Sequence, residues 1–447
     1  MTKKIDIKKI KKILFSLDMA MVLSIFAIIV TVFYFYPNFM VNKPKGLLHE
    51  LNHNTLVMDA TFSPDSKYIA TGSSGSLFLG LFNVSGATRV WDVESGRLLH
   101  TFHADYVRPS MIKSVKFSPD SKLIASCATD GVVRLWDVKS GKLMLSLVHR
   151  TPDTAAPMSY CKINFSHNGK MLATAVSDWN VKVWNVETGQ LLQTFSHTTS
   201  ESVDLETRQL LHDTISGYQE VYNGIFSNDD KLVITGDGDV TAKIWDVKTG
   251  NLLRILSNPT PHLFPYKSRS HVTLSNDGKQ IMLYSDYFNP EIWDLNTGAF
   301  VHVLASDMQT IQKFVPEARK ERIGIGSGNA NFSHNNRLII NGGFLNLAQI
   351  WQVNTGELLL TLKHGEPKGG QWVERAVFSP SDDFVLTAST DGTTKLWDTK
   401  SGRLVTTFYD TSSDDHGYKP AEFSNNGKYI FTTKHKTVSV WKFIPNI

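Results

Sequence analysis

Cysteine is almost missing from this chain: Cys127 and Cys161 are the only two in 447 residues. That excludes a scaffold held by many disulfides, and no Cys-x-x-Cys-His run exists to attach a haem. Excess charge is missing as well. The chain has 46 Lys and Arg against 42 Asp and Glu, but residues 1–18 alone hold Lys3, Lys4, Lys8, Lys9, Lys11 and Lys12 against Asp6 and Asp18. Beyond them acid and base balance, so a pI of 8.7 gives no support to nucleic-acid binding. Catalytic signatures are absent too: no Ser/His/Asp elbow, no phosphate-cradling glycine loop, no paired carboxylates. Gly324-Ile325-Gly326-Ser327-Gly328 is glycine-rich but precedes a strand with no helix after it, which does not fit a dinucleotide site.

What is present is repetition. A first marker, Phe-Ser or Leu-Ser, recurs at Phe62, Phe117, Phe165, Phe226, Leu274, Phe332, Phe378 and Phe423. A second is a tryptophan: Trp91, Trp136, Trp184, Trp245, Trp293, Trp351, Trp397 and Trp441. A third is a glycine opening an apolar run, from Gly46 and Gly96 through to Gly402. Each marker occurs eight times, at a period of roughly 40–60 residues, which is the signature of a β-propeller.

One unit is readable from its residues. Short apolar runs around Ile69, Leu123, Leu172, Val233 and Val385 are bounded by turn signals and read as strands. Ser63-Pro64-Asp65-Ser66 and its copies form one turn, and Asp92-Val93-Glu94-Ser95-Gly96 and its copies another. In the second, Asp or Asn accepts backbone N–H bonds and Gly takes positive φ at low cost. The Trp is an apolar plug between neighbouring sheets.

Residues 46–447 resemble the WD-repeat β-propeller family, most clearly in Ser118-Pro119-Asp120 through Trp136-Asp137 and Ser379-Pro380 through Trp397-Asp398. The resemblance implies four-stranded blades, strands a to d from the inside outward. The pattern departs at Asn185, Gln352 and Lys442 after the Trp, and in the weak fifth and eighth repeats. The expected fold is all-β, an eight-bladed propeller with seven blades as runner-up, preceded by one N-terminal transmembrane helix. Gly46 to Leu51 resembles a d strand, and the chain finishes after the c strand holding Trp441, so the N-terminal strand is expected to complete the last blade.

The one long apolar run, Met19 to Tyr36, follows the Lys-rich tail and ends in Phe33-Tyr34-Phe35-Tyr36. Its length suits a membrane-spanning helix, the Lys side belongs in the cytoplasm, and Pro37-Asn38-Phe39-Met40 offers no small-residue cleavage site. Cleaved export is the alternative. The domain reading is a cytoplasmic tail over 1–18, a signal anchor over 19–36, a linker over 37–45 and the propeller over 46–447. This single-pass topology puts the propeller outside the cytoplasm, in the periplasm if the source is bacterial. The chain thus resembles a membrane-anchored, bacterial-type member of the family. An oxidising compartment would permit a Cys127–Cys161 bridge; two buried thiols is the reading favoured here.

In this fold the a–b and c–d turns share one face, and the d–a and b–c connections share the other. The first set is short and uniform; the d–a connections are long and dissimilar, and the first b–c connection is widened by Leu77 to Phe82. Binding residues concentrate in long loops on a rigid scaffold. The short-turn face is expected toward the bilayer and the long-loop face away from it. Aromatic and Arg residues of the long loops are the candidate partner contacts: Tyr106, Arg108, Trp179, Phe264, Tyr266, Tyr287, Phe288 and Trp372. For each alone, packing of its own loop is an equal reading. Segments 202–213 and 307–322 read as short helices near the channel.

His53, His103, His149, His197 and His364 recur just after the d strands, spread round the ring and not converging as metal ligands would. In related propellers a His near this position bonds Ser/Thr, Asp and Trp within a blade, and Asp130, Asp178 and Asp391 resemble that Asp. The Ser/Thr-Gly turns also resemble those of eight-bladed quinoprotein dehydrogenases, but that family has a further Trp where this chain has Asn251-Leu252-Leu253-Arg254. The expectation is a membrane-anchored scaffold for a protein or peptide partner, with no catalytic residues, no cofactor, no metal and no nucleic acid. The alternative is an enzyme or small-ligand sensor with a pocket at the channel mouth.

Overall fold

The computed structural model describes residues 46–78, 82–104, 110–149, 160–176, 178, 180–197, 221–237, 241–257, 270–285, 289–305, 327–343, 345–365, 371–409 and 420–443. Contacts divide the chain into Met1–Leu47 and Leu48–Ile447, and all but the first two described residues belong to the second unit. Among the described residues no helix is long and apolar enough to cross a membrane. The apolar run from Met19 to Tyr36 and the segments 202–213 and 307–322 lie outside the described residues.

Eight antiparallel four-stranded sheets make up the ring. Blade 1 contains Val57–Phe62, Tyr68–Ser73, Ala87–Asp92 and Leu98–His103, as strands a to d. Blades 2 to 7 repeat this order, with their a strands at Ile112–Phe117, Cys161–Phe165, Val221–Phe226, Ser270–Leu274, Ser327–Phe332 and Val373–Phe378. Blade 8 has Ala421–Phe423, Tyr429–Lys434 and Thr437–Lys442, and its outer strand is Leu47–Asn52 from the other end of the chain. The closure expected from the sequence is therefore the one observed.

The turns follow their chemistry. Asp92 Oδ1 accepts the Ser95 N–H at 2.8 Å, and Asp137, Asn185, Asp246, Asp294 and Asp398 do the same for the residue three on. The glycines that close these turns, Gly96 to Gly402, have φ between +67° and +78°. In five a–b turns a residue with a side chain takes the left-handed position instead: Ser66, Ser121, Asp230, Asn336 and Asp382. That conformation costs an L-residue about 1–2 kcal/mol. Each side chain uses it to reach the preceding blade, as when Asp230 accepts the N–H groups of His167 (2.7 Å) and Asn168 (2.9 Å). Ser121 likewise accepts from Asp65 N, and Ser66 from Asn426 N, across the ring closure.

The core lies between blades. Seven apolar clusters each span two neighbouring blades, for example Val183, Phe195, Val221, Val233 and Trp245 between blades 3 and 4. The eighth junction is aromatic: Phe408 of blade 7 meets Trp441 of blade 8 with ring centroids 4.9 Å apart. Seven of the marker tryptophans are buried; Trp136 is half-buried and stacks on Phe102 of blade 1 at 4.5 Å.

One expectation needs correction. Cys127, on strand b of blade 2, and Cys161, on strand a of blade 3, are not free thiols but a disulfide with Cα atoms 6.1 Å apart. Their strands pack face to face in one cluster, a proximity that spacing in the sequence does not encode. The first b–c connection, widened by Leu77 to Phe82, carries a short ladder in which Ser76–Phe78 pairs with Phe82–Val84 in the register of strands b and c.

A cross-link between residues 34 apart removes unfolded-state entropy worth about 3–4 kcal/mol. The Cys127→Ala/Cys161→Ala double variant should lose that much stability in urea unfolding. An unchanged midpoint would mean that the bridge contributes nothing.

Candidate interaction face and the histidine staples

Of the eight candidate contacts, Tyr106, Arg108, Trp179, Phe264, Tyr266, Tyr287 and Phe288 lie outside the described residues. Trp372 is described, immediately before strand a of blade 7. Its N–H donates to Thr390 Oγ1 at 3.0 Å and its carbonyl accepts from Thr390 N at 3.0 Å, which fixes it against the b–c corner of its blade. Its indole N–H donates to Glu374 at 3.1 Å, and the residue remains 38% exposed.

Sequence reasoning missed two residues at the same register. Met111 precedes strand a of blade 2 and is held likewise, its N–H to Thr129 Oγ1 at 2.9 Å and Thr129 N to its carbonyl at 2.9 Å. Leu56 precedes strand a of blade 1 and accepts from Ser74 N at 2.8 Å. They are 41% and 40% exposed. All other exposed large apolar side chains among the described residues sit on outer d strands. Leu56, Met111 and Trp372 thus stand at equivalent positions on blades 1, 2 and 7, on the face of the long connections, with blade 8 between blades 7 and 1. The signal for them was positional: each stands one residue before strand a.

Four of the five recurring histidines share one set of partners. His149 Nδ1 hydrogen-bonds with Thr174 Oγ1 at 2.6 Å, and Trp184 Nε1 donates to the same oxygen at 2.9 Å. The same triad joins His53, Thr71 and Trp91; His197, Thr235 and Trp245; and His364, Thr387 and Trp397. The backbone corrects the expectation that this network lies within one blade. His53 N donates to Lys436 O of blade 8, and His149 N to Gly131 O of blade 2. Each ring therefore leaves one blade and bonds strand b of the next, as a staple. Asp178 lies 3.4 Å from His149 Nε2, a charge contact without hydrogen-bond geometry. In blade 2 the corresponding Asp130 pairs with Arg134 at 2.9 Å. Blade 5 departs most, Trp293 donating to Glu291 at 3.3 Å.

Burial favours the neutral form of three of these rings. It lowers the His53 pKa to about 4, aided by the Arg89 charge. Burial also lowers His149 and His364, against the pull of Asp178 and Asp391 respectively.

A family model described as "WD domain, G-beta repeat" matches residues 45–79, 96–137, 154–185 and 356–398. The chain carries WD repeats on an eight-bladed propeller. Among solved structures, this WD-repeat propeller is similar to the C-terminal WD40 domain of Sif2, with a TM-score of 0.64 at 16% identity over 89% of this chain and 99% of that one. It is also similar to the computationally designed Ika8 protein, with a TM-score of 0.62 at 20% identity over 88% and 98%. Such identities speak for the fold alone. The search of curated proteins finds no match.

The staples set a pH limit on the WD-repeat propeller. Folded His53 stays neutral down to about 4 while the unfolded ring takes its proton at 6.5. Stability is therefore complete above pH 6.5 and falls as pH drops toward 4, by on the order of 3 kcal/mol for this ring. Urea midpoints measured across that range should decline, and the decline should be shallower in His53→Asn. Parallel curves for the two proteins would refute the assignment.

Proposed function

We propose that the protein is a membrane-anchored, extracytoplasmic scaffold whose long-loop face holds a protein or peptide partner beside the channel mouth. The observation that carries this reading is the exposure of Leu56, Met111 and Trp372 at equivalent positions of blades 1, 2 and 7. Three large apolar side chains are pinned through their backbones and left in solvent, on the face that has the irregular loops. Rigid exposed apolar and aromatic groups are the usual anchors of protein recognition, because little entropy remains to be lost when they are covered. WD-repeat propellers are in general non-catalytic interaction scaffolds, which agrees with the reading.

Anchoring and orientation rest on the sequence. The Lys-rich residues 1–12 and the apolar run from Met19 to Tyr36 support a signal anchor with the propeller on the far side of the membrane. The Cys127–Cys161 bridge adds support, since disulfides persist in oxidising compartments and are rare in reducing ones.

The test is affinity capture from crosslinked, gently solubilised membranes with three versions of the full chain. The parent and a Leu143→Ala/Met144→Ala variant, altered on an outer strand, should retain the same partner. The Leu56→Ala/Met111→Ala/Trp372→Ala variant should lose it while its urea midpoint shifts little. Retention by the triple variant, or loss from the outer-strand variant alone, would move the interface elsewhere.

A further inference from the structure

On the short-turn face, two kinds of polar bond lock one blade to the next. In the first, a side chain of one a–b turn meets a backbone N–H of the preceding turn, as Ser121 does with Asp65 N (3.1 Å) and Asp230 with Asn168 N (2.9 Å). In the second, the third residue of a d strand donates to a carbonyl in the c–d turn of the next blade. His49 reaches Glu94 O at 2.8 Å, Gln193 reaches Lys248 O at 3.2 Å and His302 reaches Asn354 O at 2.9 Å. Arg254 makes the fullest version. Its guanidinium donates to Leu295 O at 3.1 Å and to Asn296 O, and its stem lies over Gly298 of blade 5. Strands a are tied at the channel wall as well, where Asp59 accepts Val115 N at 3.0 Å and Asn164 donates to Gly224 O at 2.9 Å.

The junction of blades 2 and 3 lacks both short-turn bonds. Its left-handed position is held by Gly169, φ +71°, so no side chain meets Asp120 N. Leu145 occupies the place of Arg254 and covers Gly189, but it has no donor for Glu187 O. Among the described residues neither backbone group has a partner, and this is the one junction onto a c–d turn where both bonds are missing. Between blades 7 and 8, where no c–d turn follows, Phe443 packs against Phe384 and Phe423 instead.

A groove of about 420 Å3 opens at this gap. Leu123, Leu145 and Val186 form its floor, which is continuous with the apolar cluster around the disulfide. Met144, 56% exposed, stands at its outer end with Lys170 and Glu187. A second hollow of about 340 Å3 shares Leu123 and Gly169 with it and carries the groove inward past Asp120.

An apolar trough that ends in a free carbonyl suits a side chain with a long aliphatic stem and several N–H donors at its tip. Arg254 shows that fit elsewhere in this molecule. Glu187 adds an exposed carboxylate that has no ion-pair partner among the described residues and can accept a guanidinium. Asp120 is already paired with Lys122 at 3.1 Å, and Lys170 opposes a cation from the rim. The free N–H of Asp120 calls for an acceptor on the same ligand, which a peptide main chain supplies.

We propose that this groove docks an extended, arginine-bearing segment of a partner protein, whose arginine takes between blades 2 and 3 the role that Arg254 has between blades 4 and 5. The stem lies on Met144 and Leu145, the guanidinium donates to Glu187, and a main-chain carbonyl of the segment accepts from Asp120 N. The site stands apart from the proposed interaction face, which uses other residues on the opposite side of the ring.

The experiment is fluorescence anisotropy, titrating the full chain into an N-terminally dye-labelled Gly-Leu-Arg-Ile-Gly amide, whose centre copies Leu253-Arg254-Ile255. A second peptide has norleucine in place of the arginine. Saturable binding of the arginine peptide is expected, with the norleucine peptide weaker by about tenfold or more, since a hydrogen bond from a charged group is lost. Leu145→Arg supplies the donor from within the chain. Gly169→Asp repeats the latch of Asp230, and its Cβ would meet Pro119 at an ordinary 3.4 Å. Each variant should weaken binding of the arginine peptide by about tenfold or more while its urea midpoint holds or rises. No saturable binding by the folded parent, equal binding of the two peptides, or parental affinity in both variants overturns the inference.

Discussion

The structure depends on closing the ring. A four-stranded blade has an apolar face on each side and cannot bury either alone. Every cluster of the core is shared by two blades, so a single open junction would expose two faces at once. The closing interaction is the pairing of Leu47–Asn52 with Thr437–Lys442, reinforced by bonds from His53 N to Lys436 O and from Thr437 Oγ1 to Asn52. The junction between blades 8 and 1 then packs Leu51, Phe62, Trp91 and Phe431 like any other.

Polar bonds add angular precision at three heights. On the short-turn face, left-handed Ser, Asp and Asn residues reach back one blade; at the wall of the channel, Asp and Asn side chains reach forward; toward the long loops, histidines staple one blade to strand b of the next. The hydrophobic clusters supply most of the stabilisation but are indifferent to small rotations of one blade against another. Directional bonds are not. Blades 2 and 3 carry a covalent link as well. The proposed interaction face inherits this rigidity, since Leu56, Met111 and Trp372 are bonded through their backbones to the same frame.

Blade number, turn chemistry and the closure were legible in the sequence because each rests on local signals: Phe-Ser, Trp-Asp and Gly at regular spacing. The four segments matched by the family model fall mainly on strands of blades 1, 2, 3 and 7; blades such as 5, where Glu291 replaces the Thr partner of Trp293, keep the geometry with other atoms. What sequence could not show is contact between distant segments. Cys127 and Cys161 look like two isolated buried residues until strands b and a of adjacent blades are set side by side. Trp372 was legible as an exposed aromatic, whereas Leu56 and Met111 have no chemical mark and are picked out only by register.

The closing strand has a consequence in time. Asn52 must wait for Thr437, 385 residues later, before it gains its partner. At ordinary rates of synthesis that interval is on the order of tens of seconds, during which an apolar strand edge lacks its mate. A nascent chain of this kind is most vulnerable to mispairing and proteolysis just before completion. Any chain that stops short of the last blade remains an open arc with two unsatisfied ends.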